Sequence, residues 1–306
     1  MFGKEGGSGN LINDIPSNEF HFAGHDTFHL RYSWLPKAAD YLNNSSKGVS
    51  LSHYEVVMTK LGIGKNMAKS LRHWSESSQL FDKKNENHDF SPLGAELFYH
   101  DPYLEHVDSN WLIHYLIVSN HKKNGLWFYL FNVFNEQIII KEEFLFSAKN
   151  WFKDMGVESN ERTLEKDFQC CMNMYDSSKI SSSKASESLT LSPLRELKLL
   201  RKVGSNYHLR TLVNKEISSA MFSYCLLDYL ECEGDQNSTP FSDILNGMKS
   251  PGRIFRLTES LLMDYLNNLD RYSKDHAFDN TSGMQQVMKI NEKKRDKILV
   301  LKKVYG

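Results

Sequence analysis

Apolar residues recur at helical spacing in the first third of the chain. Residues 34–42 and 56–61 each carry them every three or four positions, which predicts two amphipathic helices. The glycine-containing segment 61–64 interrupts the pattern, and residues 65–79 resume it in a third helix. A polar turn between two short apolar runs then predicts a β-hairpin within residues 80–93. Helix, glycine turn, helix and hairpin is the order of a winged helix-turn-helix.

The rest of the chain repeats this outline less completely. Residues 163–175 form a predicted helix, and residues 201–210 are a candidate wing. Helical spacing returns at residues 241–245 and 258–269. Residues 110–146 are rich in large aromatic side chains, which favours a buried helical core. The predicted fold class is therefore mainly α: a helical protein with winged helix-turn-helix-like modules and short β-hairpin wings.

Polar and serine-rich stretches mark the predicted domain boundaries. The Gly/Ser/Asn-rich residues 1–18 predict a flexible N-terminus, and residues 176–190 predict a Ser-rich loop. We predict an N-terminal winged-helix-like domain at residues 19–105. A helical core with a second winged-helix-like region, including the Ser-rich loop, is predicted at residues 106–215. A C-terminal helical domain is predicted at residues 216–306.

Composition narrows the class of protein. Among 306 residues, 37 are Lys or Arg and 38 are Asp or Glu, so the net charge is −1. This balance excludes binding of nucleic acid by bulk positive charge, but it permits a local basic face. No apolar run approaches the roughly 18–20 residues of a membrane helix. The first residues lack the apolar core of a signal peptide, and the four cysteines show no C-x-x-C spacing. We therefore expect a cytoplasmic protein with no membrane partner.

The strongest basic feature lies on the third predicted helix. Lys65, Lys69 and Arg72 stand at positions i, i+4 and i+7, so they share one face, while apolar residues occupy another. A recognition helix needs an apolar face to dock and a cationic face to meet phosphates. The alternative is an ordinary solvated helix face. The predicted DNA-binding residues are Lys60, Lys65, Asn66, Lys69, Arg72 and His73.

Imidazole and carboxylate groups are densest in residues 21–34. His25 and Asp26 are adjacent there, and Arg31 follows. Imidazole and carboxylate bind divalent metals and move protons near neutral pH, and a guanidinium can hold a phosphate. These residues predict a phosphodiester-cleaving site, with His25, Asp26 and Arg31 as catalytic candidates. His25 and Asp26 are also the candidate ligands of Mg²⁺ or Mn²⁺. The alternative is structural, with Asp26 capping a helix and Arg31 pairing with it.

Five ordered motifs, spread over nearly the whole chain, resemble one bacterial family. The motifs are FAGHDTFHLRYSWLPKA (22–38), LGIGKNMAKSLRHW (61–74), SPLGAELFYHDPYLE (91–105), TLEKDFQCCMNMY (163–175) and SPGRIFRL (250–257). The family was long known only as a domain of unknown function, and its genes lie beside those of phosphoadenosine-phosphosulfate-reductase-like enzymes. Its best-described members are the SspB-type proteins of the single-stranded DNA phosphorothioation system.

This resemblance implies a role in antiviral DNA modification. Members of the family are thought to nick duplex DNA so that sulfur can replace a non-bridging phosphate oxygen on one strand. They work with an ATPase, an ATP pyrophosphatase and, indirectly, a cysteine desulfurase. The resemblance therefore implies double-stranded DNA and these proteins as partners, and it leaves a homodimer open.

The resemblance does not supply catalytic residues. The family pattern at the first motif is close to G-H-E-T-F-P-x-R-Y, which His25 and Arg31 match, whereas Asp26 replaces a glutamate and His29 departs from the pattern. Two functions remain open at this point. One is a DNA nickase, and the other is a non-catalytic winged-helix adaptor or regulator that recruits the sulfur-transfer enzymes.

Overall fold

Helices make up most of the described chain, which comprises residues 19–45, 49–179, 190–234, 236–281, 283–291 and 297–305 of a computed structural model. The remaining elements are short antiparallel strands. The prediction of a mainly α protein is confirmed. The predicted flexible N-terminus and most of the predicted Ser-rich loop lie outside the described residues, and the domain boundaries remain predictions.

The first third of the chain follows the predicted order of elements. Its elements are α1 (Trp34–Asn43), α2 (Tyr54–Leu61), α3 (Lys65–Ser77), β1 (Phe81–Lys84), β2 (Asn87–Phe90) and α4 (Pro92–His100). Gly62 ends α2 with a φ of +65°, a backbone conformation that glycine adopts without a Cβ clash. Helix α3 then buries Leu71 and Trp74 completely. Strands β1 and β2 form the first hairpin, in which Phe81 is opposite Phe90.

Two largely buried helices occupy the middle of the chain. The elements here are α5 (Val107–Ser119), α6 (Gly125–Asn132), β3 (Ile138–Ile139), α7 (Lys141–Asp154) and α8 (Glu161–Tyr175). Every residue of α6 is buried, and so is nearly all of α5. The prediction of one helical core over residues 110–146 is therefore correct for α5 and α6. Residues 133–140 are not helical, because β3 pairs there with a later strand, and the helical structure resumes in α7 from Lys141.

The last third combines helices with two small sheets. Its elements are β4 (Leu200–Val203), β5 (Asn206–Leu209), α9 (Ser219–Cys232), β6 (Ser238–Pro240), α10 (Phe241–Asn246), α11 (Pro251–Ile254), α12 (Glu259–Leu266), β7 (His276–Asp279), β8 (Gln286–Lys289) and α13 (Ile298–Tyr305). Strands β4 and β5 form the second hairpin, at the predicted wing, and β3 extends it in the order β3-β5-β4. The other sheet, β6-β8-β7, was not predicted from the sequence.

One continuous apolar core connects these parts. His114 on α5 lies at its centre, where its ring nitrogens contact the Tyr175 hydroxyl of α8 at 2.8 Å and the Ile254 carbonyl of α11 at 3.2 Å. These bonds satisfy a polar ring that the helices otherwise bury in apolar surroundings. Within the described residues, no helix combines the length and the apolar character needed to cross a membrane.

Candidate functional site

The segment before α1 contains an unusual cluster of backbone conformations. Ala23, Asp26 and Thr27 have φ angles of +59°, +47° and +70°. Residues with a Cβ rarely adopt such angles, and they keep them only where the surrounding structure holds them. Residues 23–28 are called the clamped loop below, since long-range contacts fix it from two sides.

A carboxylate on α8 holds the first side of the clamped loop. Asp167 Oδ1 accepts a hydrogen bond from the Ala23 N–H at 3.0 Å and lies 2.9 Å from His25 Nε2. The His25 and Asp167 side chains are each only 1% exposed. The Thr27 N–H donates to His25 Nδ1 at 3.1 Å, so this nitrogen accepts and Nε2 carries the hydrogen directed at Asp167. Both ring nitrogens of His25 are therefore occupied.

Helix α3 holds the other side. Ser70 Oγ donates to the His25 carbonyl, and Trp74 Nε1 donates to the Phe28 carbonyl at 3.0 Å. The imidazole of His25 stacks almost parallel to Trp74, with the ring centroids 6.0 Å apart. A Cβ at Gly24 would lie 2.5 Å from His73 Nδ1, so only glycine fits at this point of the loop. Packing and hydrogen bonds together account for the strained backbone.

His73 lies inside the protein, although the sequence analysis predicted it to bind DNA together with Lys65, Lys69 and Arg72. Its side chain is buried behind Gly24 and the His25 ring. Burial lowers its pKa to about 3, and the positive charges that His25 and Lys123 can carry act in the same direction. His73 is neutral near pH 7 and supports the clamped loop from beneath.

Asp26 and Arg31 lie at the outer side of the clamped loop. Asp26 Oδ2 is 3.3 Å from Lys69 Nζ, and these side chains are 34% and 39% exposed. Asp26 thus pairs with α3, and the N-cap of α1 is Ser33. The Arg31 guanidinium lies 5.5 Å from the Phe28 ring centroid and 5.2 Å from that of Trp34. Burial lowers the pKa of Arg31.

The predicted basic face of α3 exists, and its two ends differ. Lys60, Lys65 and Asn66 are exposed around the Gly62–Gly64 turn. Arg72, further along, lies 5.3 Å over the Tyr54 ring, with its Nε 3.8 Å from Glu76 Oε1. The sequence therefore identified the shared face correctly. It did not reveal that Lys69 and Arg72 are already paired within the protein.

Glu76 collects several positive partners. Its carboxylate contacts His88 Nε2 at 3.2 Å and Lys123 Nζ at 2.6 Å. Burial by itself would raise the pKa of Glu76, but the hydrogen bonds from His88 and Lys123, with the charges of Lys123 and Arg72, lower it to about 2. Glu76 thereby joins α3 to the first hairpin and to the segment after α5.

The His25–Asp26 pair does not fit a metal site built by the protein. Both ring nitrogens of His25 are engaged, and the Asp26 carboxylate faces an ammonium. Among the described residues there is no group of three or more His, Cys, Asp or Glu side chains that could hold a metal ion. In this conformation the pair orders the loop.

Asp167 was missed by the sequence analysis, although a signal was present. On the predicted helix 163–175, Leu164, Asp167 and Phe168 stand at i, i+3 and i+4, so a carboxylate occupies the apolar stripe. A charged group on such a stripe is buried and needs a buried partner. The sequence did not indicate that the partner is His25.

Comparison with known proteins reports on the fold and the family. Comparison with curated proteins finds no significant match. Two solved structures are similar over 94% of this chain and 89% of theirs, each at 22% identity. One is a crystal structure of magnesium ion-bound SspB, with a TM-score of 0.79, and the other is a crystal structure of SspB, with a TM-score of 0.78. At this identity the likeness shows a shared fold. The model of the family described as protein of unknown function (DUF4007) matches residues 22–305, so the chain belongs to that family.

Proposed function

We propose that this protein binds duplex DNA as a component of a DNA phosphorothioation system in antiviral defence. The observation that carries the proposal is the exposed cationic start of α3. Lys60 and Lys65 flank the glycine turn there, and Asn66 is exposed beside them. The first N–H groups of a helix and its positive dipole end favour phosphate, and lysines add charge at the same place.

The arrangement of elements supports the same proposal. Helix α2, the turn at Gly62–Gly64, helix α3 and the first hairpin are joined as in a winged helix-turn-helix. We propose this unit as a winged-helix-like module whose α3 approaches DNA by its N-terminal end. Lys69 and Arg72 would extend the contact along the duplex once DNA phosphate competes with Asp26 and Glu76.

The likeness to SspB and the five motifs support the phosphorothioation context. The proposed partners are double-stranded DNA, the ATPase and the ATP pyrophosphatase of such a system, with a cysteine desulfurase acting indirectly. Lys60 and Lys65 are exposed and can contact DNA. Both ring nitrogens of His25 already have hydrogen-bond partners, so His25 cannot act as a base in this conformation. These two observations favour DNA binding and recruitment of partners over catalysis.

Nicking of one strand is the second candidate, and the clamped loop favours it. Strained backbone that long-range contacts maintain is frequent at functional sites, and this loop holds the partly exposed Asp26 beside Lys69. One similar solved structure is a magnesium ion-bound SspB. In this candidate His25 positions the loop, while Asp26 and Arg31 lie nearest the scissile phosphate.

Binding of a fluorescently labelled duplex, measured against salt concentration, tests the first candidate. Lys60→Ala/Lys65→Ala should weaken binding by about tenfold and reduce the slope of log K against log salt by about 2, since each cation neutralises one phosphate. Lys149→Ala, which removes an exposed lysine paired with Glu161, is the matched control. Equal affinity in all three proteins would contradict the proposed contact.

A supercoiled plasmid tests the second candidate. With Mg²⁺ or Mn²⁺, nicking predicts open circles that disappear with EDTA and with Asp26→Ala, while DNA affinity stays. If the plasmid stays intact while the protein still binds DNA, nicking is contradicted and the adaptor function is the remaining candidate.

A further inference from the structure

The second hairpin projects from the body of the protein. Leu200 and Leu209 are buried at its base, whereas residues 201–205 and His208 are exposed. Gly204 turns the tip with a φ of +62°, and no atom lies within 4 Å of the position where its Cβ would be. The tip of the hairpin therefore meets solvent, whereas Tyr207 below it is half-buried, with its ring centroid 6.2 Å from that of Phe168.

The base of the second hairpin is firmly held. Ser177 Oγ donates to the Leu200 carbonyl at 3.0 Å, and the buried Asp176 carboxylate accepts from the Lys202 N–H at 3.1 Å. Strand β3 adds a third strand through Ile138 and Ile139. These contacts fix the orientation of the second hairpin relative to the rest of the protein, so its exposed side chains have defined positions.

The charge of the second hairpin is one-sided. Residues 198–208 contain Lys198, Arg201 and Lys202 and no acidic residue, in a chain whose net charge is −1. Arg201 is opposite His208 in the register, and Lys202 is opposite Tyr207, so the cations point to both faces. Among the described residues, these three cations make no ion pair; Lys202 Nζ lies 5.7 Å over the Tyr207 ring.

We propose that the second hairpin is a further contact for the backbone of duplex DNA, separate from α3. The tip of the hairpin beyond β3, residues 203–206, is two-stranded and narrow enough to enter the major groove, and Arg201 and Lys202 just below it can then meet the phosphates that flank the groove. This inference rests on the proposed DNA binding. It names a surface that the motif resemblance and the basic face of α3 do not include.

Helix α7 provides a matched control. It exposes the side chains of Lys141 and Lys149, which pair with Glu165 and Glu161 on α8. This helix belongs neither to the proposed winged-helix-like module nor to the second hairpin. Removing the same number of lysine or arginine charges from α7 and from the second hairpin separates a local contact from a general change in net charge.

The test is a salt titration of duplex binding by the wild type, Arg201→Ala/Lys202→Ala and Lys141→Ala/Lys149→Ala. We expect the variant in the second hairpin to bind about tenfold more weakly at moderate salt, with a slope of log K against log salt smaller by about 2. The control should stay within about twofold of the wild type. Thermal unfolding of each protein verifies that the fold is retained.

Each outcome decides a separate point. If the wild type does not bind duplex DNA, the proposed function fails, and this inference fails with it. If the wild type binds and Arg201→Ala/Lys202→Ala binds equally well, only the hairpin contact is overturned, and an acidic protein partner becomes the explanation for its charge. An equal loss in both double variants would also overturn it, because the effect would then be one of net charge.

Discussion

The two hairpins share a local design and differ in everything around it. Each pairs two four-residue antiparallel strands across a tight turn. The first hairpin lies against the body: the His88 N–H donates to the Val49 carbonyl at 2.7 Å, and His88 Nε2 contacts Glu76. The second hairpin is held below its tip, where β3 pairs with Tyr207 and His208, and its residues 203–205 are exposed. Equal secondary structure thus serves two purposes, since one hairpin braces α3 and the other extends into solvent.

Charge follows the same division. Around α3, the cations Lys69 and Arg72 of the helix and Lys123 of the segment after α5 face Asp26 or Glu76. On the second hairpin, Arg201 and Lys202 face solvent. Paired charges fix elements of a protein relative to one another, whereas unpaired cations on a projecting element remain available to a partner. Helix α3, whose basic stripe is the more regular in sequence, therefore has more of its positive charge paired with acidic groups of the protein than the second hairpin has.

The largest expected difference in stability is between two glycine-to-alanine variants, Gly94→Ala beside the first hairpin and Gly204→Ala at the tip of the second. A Cβ at Gly94, on α4, would overlap the backbone carbonyl of Leu80 just before the first hairpin, so the backbone has to move. We expect Gly94→Ala to lower the free energy of unfolding by about 3 kcal/mol or more. Gly204→Ala meets open space and only the strain of a positive φ, which is about 1 kcal/mol. Urea unfolding of both variants measures this; equal losses would contradict the packed-versus-projecting distinction.

Loss of the carboxylate that holds the clamped loop should have the next largest effect. Asp167→Asn keeps the shape of the side chain but replaces an acceptor oxygen with a donor facing the Ala23 N–H or His25 Nε2. Hydrogen bonds to a charged group contribute about 1.5–3 kcal/mol, so we expect a loss of about 2 kcal/mol in urea unfolding.

Asp264→Asn is the matched control for that substitution. Asp264 forms an exposed ion pair with Lys215 at 2.9 Å, and such pairs contribute about 0–1 kcal/mol. If Asp167→Asn were as mild as Asp264→Asn, the clamp would not be what holds the loop. Binding of DNA by Asp167→Asn then reports whether an ordered loop is needed for the contact.

The last expected effect is a gradual dependence of stability on pH, to which His73 on α3 contributes. The folded-state pKa of His73 is about 3, below the ordinary value of 6.5, so between these values the unfolded chain binds more protons than the folded one. Stability is therefore retained above about pH 6.5 and falls as the pH drops toward 3, by about 1.4 kcal/mol per unit for this group.

His114 adds a second contribution of the same sign, because burial lowers its pKa to about 3 as well. Urea unfolding between pH 6.5 and 4.5 should show the combined slope, and His73→Gln should reduce it by about 1.4 kcal/mol per unit. If His73→Gln has the same slope of unfolding free energy against pH as the wild type, His73 can be protonated in the folded protein and the prediction is wrong. Substitutions in the second hairpin should leave the slope alone.

Local sequence patterns predicted most of the helices and both of these hairpins. Residues 34–42, 65–79 and 163–175 carry regular apolar spacing, and the spacing needs no information from distant parts of the chain. The stripe of Lys65, Lys69 and Arg72 was predictable for the same reason. The sheet β6-β8-β7 was not, since its strands are only three or four residues long and their pairing is non-local.

The candidate site was less accessible to sequence reasoning. Its chemistry-bearing residues, His25 and Asp26, were found from composition alone, but their partners come from α8 and α3. The order of residues does not indicate that Asp167 forms a hydrogen bond with the His25 imidazole or that Lys69 pairs with Asp26. A cluster of His and Asp looks the same in sequence whether its groups are free or paired.

The clamp also constrains when the loop can form during synthesis. His25 and Asp167 are 142 positions apart, so the segment 23–28 emerges from the ribosome long before the helix that holds it. Until α8 follows, the loop has its contacts with α3 but lacks the bonds from Asp167, and contacts this distant in sequence form late. A chain that stops short of α8 would contain every residue of the first motif in an unordered segment. The loop is thus made early, but it can reach its final shape only after Asp167 has been made.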